Sequence, residues 1–287
     1  YRQIPEYQQL NAGMSLPQFQ TIYLWEFTHR LWARLVGLAL AVPLLYFAWR
    51  REVRGPLAWR IRGILLLTVR TDVSQYRLAA HLALALVVYA LAVWTAAELL
   101  GRSGMARTRD DGRAAERLRH RTGWFAGLVF FVIVSGAFVA GLDAGRAWNT
   151  FPLMGGRVVP PGYASLSPWY LNVFENVAAV QFHHRLLGMA VALLAVLLWR
   201  GSRGVPLPDG SRAPFAALAL LAVVQMGLGI TTLLLRVPVV MGVLHQLGAV
   251  LVLTAALLAL SALQTTNGRR TSPAVVDRGA ALPVSSP

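Results

Sequence analysis

Residues 180–199 read VQFHHRLLGMAVALLAVLLW. A polar opening, Gln181-Phe182-His183-His184-Arg185, leads into apolar residues that continue unbroken to Trp199. A helix needs about 20 such residues to cross the hydrocarbon of a bilayer. Every backbone N–H and C=O in lipid must be satisfied within the segment, so the run reads as a transmembrane helix. Five more runs of the same kind occupy residues 28–49, 77–98, 122–142, 213–235 and 241–263. A weaker run at 55–69 carries Arg60 and Arg62. Hydrophobic residues make up 56% of the chain and charged residues only 14%, against about 25% charged in soluble domains. The expected fold class is therefore all-α, a polytopic membrane helix bundle.

The basic residues decide orientation. The net charge is +15 and all 27 basic residues are arginine. They gather in short segments between apolar runs, at 50–54, 102–121, 200–212 and 269–278, rather than along one face of a domain. That placement marks topology and argues against a nucleic-acid partner. The linker 142–179 and the short one around Arg236 are nearly free of positive charge and are expected to face outward. Parity then requires one more crossing between Arg54 and Arg77, which makes 55–69 a spanning or partly spanning segment. With no cysteine, disulfides, thiolate metal sites and thiol catalysis are excluded.

The chain repeats itself. Glu26-Phe27-Thr28-His29-Arg30-Leu31 matches Gln181-Phe182-His183-His184-Arg185-Leu186, and the helix carrying His245 matches the one carrying His81. Such repeats in membrane bundles usually mean a pseudo-twofold with related sites. The expected division is an N-terminal half at 1–121, a C-terminal half at 122–266 and a disordered cytoplasmic tail at 267–287. The second half has a helix ahead of its His-Arg motif and the first half has no apolar run there, so one helix of a four-helix half is expected to be missing.

Of six histidines, His120 sits in an arginine-rich linker and needs no special role. His29, His81, His184 and His245 fall near the outward ends of four different helices. One histidine at a helix end is most often an interfacial polar residue. Four at matched depth, ordered by a repeat, point instead to two pairs that bracket planar macrocycles through iron. His183 is the weaker of its doublet, because His184 is the one that aligns with His29. Arg30 and Arg185 could meet haem propionates or snorkel to headgroups. Glu26, three residues before His29 on the same helical face, has Gln181 as its counterpart. A carboxylate in one half alone suggests that the first half reacts and the second carries electrons; a surface carboxylate is the alternative. The stretch from Leu142 to Met154 suggests an ordered external cap, with a generic structured loop equally allowed by composition, and Met154 is discounted as an axial ligand. Gly127, Gly136, Gly141, Gly227 and Gly229 read as close helix packing.

Several strings together, Glu-Phe-Thr-His-Arg at 26–30, Ser-Gln-Tyr-Arg-Leu-Ala-Ala-His at 74–81, Gly-Ala-Phe-Val-Ala-Gly-Leu-Asp-Ala-Gly at 136–145, Asn-Thr-Phe-Pro-Leu-Met at 149–154, Gln-Phe-His-His-Arg at 181–185 and His-Gln at 245–246, resemble haem A synthase. The match is to its cysteine-free alphaproteobacterial and mitochondrial form. The resemblance implies two four-helix halves related by a pseudo-twofold. It implies a haem b cofactor on His184 and His245 with Arg185 beside it, and a substrate haem O on His29 and His81 with Arg30. It implies oxidation of a haem methyl to a formyl group, for which Glu26 is important. It places the chain in the inner (plasma) membrane, with the haem sites towards the periplasmic side. As partners it implies membrane lipid, a haem O synthase and cytochrome oxidase assembly factors, and it is compatible with an oligomer. Against the family pattern, the first helix is expected to be missing and the 55–69 stretch is atypical in bearing arginine. Two other classes fit paired histidines: a cytochrome b-type electron carrier and a haem-binding assembly or transport protein without turnover. A carrier has no need of a carboxylate on one side only.

Overall fold

The computed structural model describes residues 15–21, 23–25, 27–28, 31–32, 35, 75–100, 112–207 and 210–264. The chain forms two compact units, Tyr1–Arg70 and Thr71–Pro287. In the first, the described residues from Leu16 to Leu35 are helical. Ser15 opens this helix: its N–H donates to Gln18 Oε1 at 2.9 Å and its hydroxyl to the same oxygen at 3.1 Å. This is the return contact of a capping box. The helix thus starts at Leu16 rather than at 28, because polar residues such as Gln18 and Gln20 lower hydropathy without opposing helix. Most of the expected spans 28–49 and 55–69, with Glu26, His29 and Arg30, lies outside the described residues.

The second unit carries six α-helices among its described residues: α1 Gln75–Leu99, α2 Gly112–Gly141, α3 Leu171–Phe174, α4 Val177–Arg203, α5 Ala213–Leu234 and α6 Val239–Ser261. All except the short α3 are long and apolar enough to cross a membrane. The protein is a multi-pass helical membrane protein, as the composition required. The second expected linker, 102–121, is partly helix, since α2 begins at Gly112. Ala115 and Leu118 account for this by packing into the core. α1, which precedes the division expected at 121/122, packs on α2 and α6 within this unit. Tyr89 on α1 also hydrogen-bonds Thr254 on α6 at 2.7 Å.

The remaining long helices make a ring. α2 packs on α4, α4 on α5, α5 on α6, and α6 back on α2. α4 and α6 therefore stand on a diagonal. The packed core is one-sided along the bundle axis. Phe125 and Val129 on α2, Val191 and Ala195 on α4, and Phe215, Leu218, Val252 and Ala256 on α5 and α6 belong to it. All but Val129, just past the middle of α2, lie in the arginine-rich half of their helices. Ala195, Ala256 and Ala259 are completely buried, and such small residues let helices approach closely where lipid supplies no hydrophobic drive. Outside, Leu193, Leu197, Leu220 and Leu251 remain exposed, an apolar surface suited to acyl chains.

The glycines divide by function. A Cβ on Gly141 would lie 2.7 Å from Gln75 Cβ and 2.8 Å from its Cα, so glycine is what lets α2 meet α1. Gly127 and Gly227 face open space within 4 Å, contrary to the packing role expected for them. Gly141→Val should therefore lower stability by roughly 1–3 kcal/mol, the usual cost of overpacking, while Gly127→Ala should be neutral. Thermal unfolding of both variants in detergent checks the contrast.

Candidate functional site

Two turns into α4 and two turns into α6, on the diagonal, stand His184 and His245. At 1.5 Å per residue both lie about 9–11 Å inside the loop end of their helices. Their ring centres are 6.4 Å apart and their planes cross at 84°. Two imidazoles bound to opposite sides of one metal ion, with bonds of about 2.0 Å, hold their centres roughly 6 Å apart. Each ring can turn about its own bond, so crossed planes are compatible with shared ligation.

The flanking helices fit the pair closely. On α2, Ser135 Oγ lies 2.8 Å from His184 Nδ1. A Cβ on Gly136 would come within 3.2 Å of the same ring. On α5, Gln225 Nε2 lies 3.0 Å from His245 Nδ1 and donates to the His245 carbonyl at 2.7 Å. A Cβ on Gly229 would come within 2.8 Å of that ring. In both rings Nδ1 is engaged, which leaves Nε2 for a ligand, the arrangement in which outer partners orient a metal-binding histidine. Among the described residues no group of three or more His, Cys, Asp or Glu side chains is placed to hold a metal ion. Two imidazoles alone suit an iron whose other four ligands come with a macrocycle.

The COX15-CtaA family, described as cytochrome oxidase assembly protein, matches residues 1–257. The chain belongs to this family. A protein of Nitrosospira multiformis named heme A synthase is 42% identical over 273 residues, covering 90% of this chain and 76% of that one. One of Rhodospirillum centenum with the same name is 43% identical over 274 residues, covering 88% and 71%. Human heme A synthase COX15 is 40% identical over 283 residues, covering 90% and 67%. No solved structure matches the chain.

The other residues singled out in this COX15-CtaA member take varied positions. His81 is the seventh residue of α1, with an exposed side chain. His183 turns to the loop, where its Nε2 meets the Tyr163 hydroxyl at 2.7 Å. His120 contacts Glu116 at 3.0 Å on the first turns of α2. Met154 is 1% exposed, and its backbone pairs with Arg157 in a turn of the loop between α2 and α4. A cleft of about 460 Å³ lined by Arg119, His120, Trp124 and Leu260 lies at the far end of the bundle, away from the histidine pair.

Arg185 holds the loop. Its guanidinium donates to the carbonyl of Thr150 at 2.7 Å and to that of Trp148. Gln181 donates to the Trp148 carbonyl as well, at 3.1 Å. Asn149 ties the same stretch to α5 by donating to the Leu233 carbonyl at 2.9 Å. Asn176 caps α4, accepting from Ala178 N at 2.9 Å and Ala179 N at 3.1 Å. The cap fixes where α4 starts and hence the depth of His184. Ser135, Gln225, Asn149 and Asn176 were not singled out from sequence. An N-cap ahead of an apolar run and lone polar residues inside one are signals that could have found three of them.

Charge-assisted hydrogen bonds contribute about 1.5–3 kcal/mol each. Arg185→Ala should therefore raise amide hydrogen exchange across residues 148–154 by about tenfold or more. Arg185→Lys should restore little of the protection, since a single ammonium does not reproduce the planar fork.

Proposed function

We propose that this chain acts as a haem A synthase, an oxidoreductase that converts a methyl group of haem O to a formyl group for cytochrome oxidase. The observation that carries the proposal is the diagonal His184–His245 pair in a member of this family. In this reading the second half, residues 122–266, holds haem b on His184 and His245. Arg185 keeps a cation at the outer rim of the pair. His29 and His81, with Arg30, hold the substrate haem O in the first half, and the helices lie in the inner membrane with both sites towards its outer face. The partners are the substrate, lipid, and the enzymes and assembly factors before and after it in oxidase maturation.

When bound, haem b supplies one-electron transfer. The methyl carbon is oxidised twice, each time releasing two electrons to an external acceptor and two protons and taking one oxygen from water, and the resulting geminal diol loses water to leave the aldehyde. Protons must leave that carbon's surroundings in step. Glu26, whose counterpart Gln181 cannot ionise, is suited to move them or to stabilise positive charge as it develops. The chain's own contribution is to fix the distance between the histidines, to exclude water from the apolar bundle and to cover the site with the loop tied down by Arg185 and Asn149.

The wild-type protein should show a reduced-minus-oxidised spectrum of low-spin bis-histidine haem. His184→Ala and His245→Ala should each abolish it, and His29→Ala should leave it intact. Pigment analysis after expression with haem O should find haem A for the wild type and about 10²-fold less for Glu26→Gln, the scale of a lost general acid or base. A His184→Ala protein with an unchanged low-spin spectrum would contradict the assignment.

A further inference from the structure

α2 is longer than its membrane crossing needs. Its 30 residues, Gly112–Gly141, make about 45 Å of helix, while the hydrocarbon core of a bilayer is about 30 Å thick. The apolar run begins at Thr122, so the excess, residues 112–121, stands in the headgroup layer. That segment carries Arg113, Arg117, Arg119 and Arg121 against Glu116 alone. It is a cationic collar at the end of the bundle opposite the histidine pair.

The cleft of about 460 Å³ lies where the collar meets the apolar run. Among the described residues it is lined by Arg119, His120, Gly123, Trp124, Gly127 and Leu260. Its two ends differ. At the collar, Arg119 and His120 each reach Glu116 Oε1 at 3.0 Å, which holds the two side chains together. That contact takes one of the five N–H donors of the guanidinium. Deeper in, the floor is glycine. A Cβ on Gly123 would come no nearer than 3.9 Å to Leu260 Cδ1, and one on Gly127 would meet nothing within 4 Å. Trp124 and Phe131, 82% and 68% exposed, stand about one turn either side of Gly127 on the same face. A tryptophan at this depth is an ordinary interfacial anchor. A notch between two aromatics with cations at its mouth has the shape and polarity of a phosphate joined to an alkyl chain.

We propose that this cleft binds one anionic phospholipid, its phosphate held by Arg119 and His120 and an acyl chain laid in the notch at Gly123 and Gly127 against Leu260. Charge complementarity decides the occupant. A second copy, inserted in the same direction and related by a twofold, would bring this collar against itself, and like charges facing each other across an interface repel. A zwitterionic lipid would bring a cationic amine to a mouth that is already cationic. The site requires only that α2 and α6 cross a membrane, so it stands apart from the haem assignment.

The test titrates the full chain in detergent with phosphatidylglycerol brominated on its acyl chains, which quenches tryptophan emission on contact. Quenching should saturate, and Trp124→Phe should remove most of its amplitude. Unbrominated phosphatidylglycerol should reverse it and inorganic phosphate should not. Brominated phosphatidylcholine should need about tenfold more lipid, and Arg119→Ala should weaken phosphatidylglycerol by about the same factor, that of one charge-assisted contact. Gly127→Leu, which fills the notch, should weaken it comparably. Arg200→Ala removes the same charge from the arginine-rich end of α4, outside the cleft, and should change binding by less than about twofold, since distant exposed charges are screened. Thermal unfolding without lipid checks that each variant folds; should Gly127→Leu fail, Arg119→Gln against Arg200→Ala still gives the contrast. Equal affinity for the two lipids, or equal effects of Arg119→Ala and Arg200→Ala, would mean unselective boundary lipid and overturn the proposal. Reversal by phosphate would overturn it in favour of a free-anion site. Shielding of Trp124 that grows with protein concentration in the absence of lipid would overturn it in favour of a second copy.

Discussion

Everything in the described bundle turns on bringing two imidazoles within 6.4 Å across its diagonal. α4 and α6 do not pack as neighbours; α2 and α5 stand between them on either side. The rings close the gap from both sides, and the helices that flank them withdraw at the points of contact, Gly136 beside His184 and Gly229 beside His245. The two halves of the bundle axis divide the labour. Alanines and medium aliphatics lock the arginine-rich half, where small side chains allow van der Waals contact between helices. With that half fixed, the opposite half can hold a polar pair without relying on hydrophobic collapse, which lipid does not provide.

The loop between α2 and α4 is part of the same arrangement rather than a lid laid over it. Its carbonyls at Trp148 and Thr150 are taken by Gln181 and Arg185 of α4. Asn149 anchors it to the end of α5. Asn172 bridges the loop to itself through Leu166 N at 3.0 Å and Leu166 O at 2.8 Å, and hands on to Asn176 at 2.8 Å. Asn176 then caps α4. Irregular backbone at membrane depth survives only where its polar groups find partners. Here the partners are Gln181, one turn before His184, and Arg185, the residue after it, so the depth of His184 and the order of the loop are set together.

What was legible in the sequence follows from which signals are periodic or long. The spans showed because an apolar run of membrane length has few other readings, and His184 and His245 showed because a repeat put them at equal depth. Helix ends were harder. Leu16 and Gly112 begin helices well before hydropathy rises, since helix propensity tolerates glutamine and arginine that hydropathy counts against. Ser135 and Gln225 were invisible because they are single polar residues whose meaning depends on which neighbouring helix they face. No spacing within one helix encodes that. The same applies to Gly127 and Gly136, identical in pattern and opposite in environment. Arg185 was legible as a cation beside His184, but its hold on loop carbonyls depends on how a 35-residue separation closes in space.

The pattern of unsatisfied atoms bears on whether this pair is a site or a packing accident. Among the described residues, three buried side-chain atoms have no hydrogen-bond partner: Gln181 Oε1, Arg185 Nε and Gln225 Oε1. Each orphaned buried polar atom costs about 1–3 kcal/mol. A bundle shaped only for stability would spread such costs or remove them by apolar substitution. Instead all three sit on residues near the two facing histidines: Gln181 and Arg185 flank His184 on α4, and Gln225 touches His245. Polar residues, glycine notches and unspent hydrogen-bonding capacity are thus concentrated around two facing imidazoles. The stability forgone there is recovered in the packed half, where the same four helices meet on alanine.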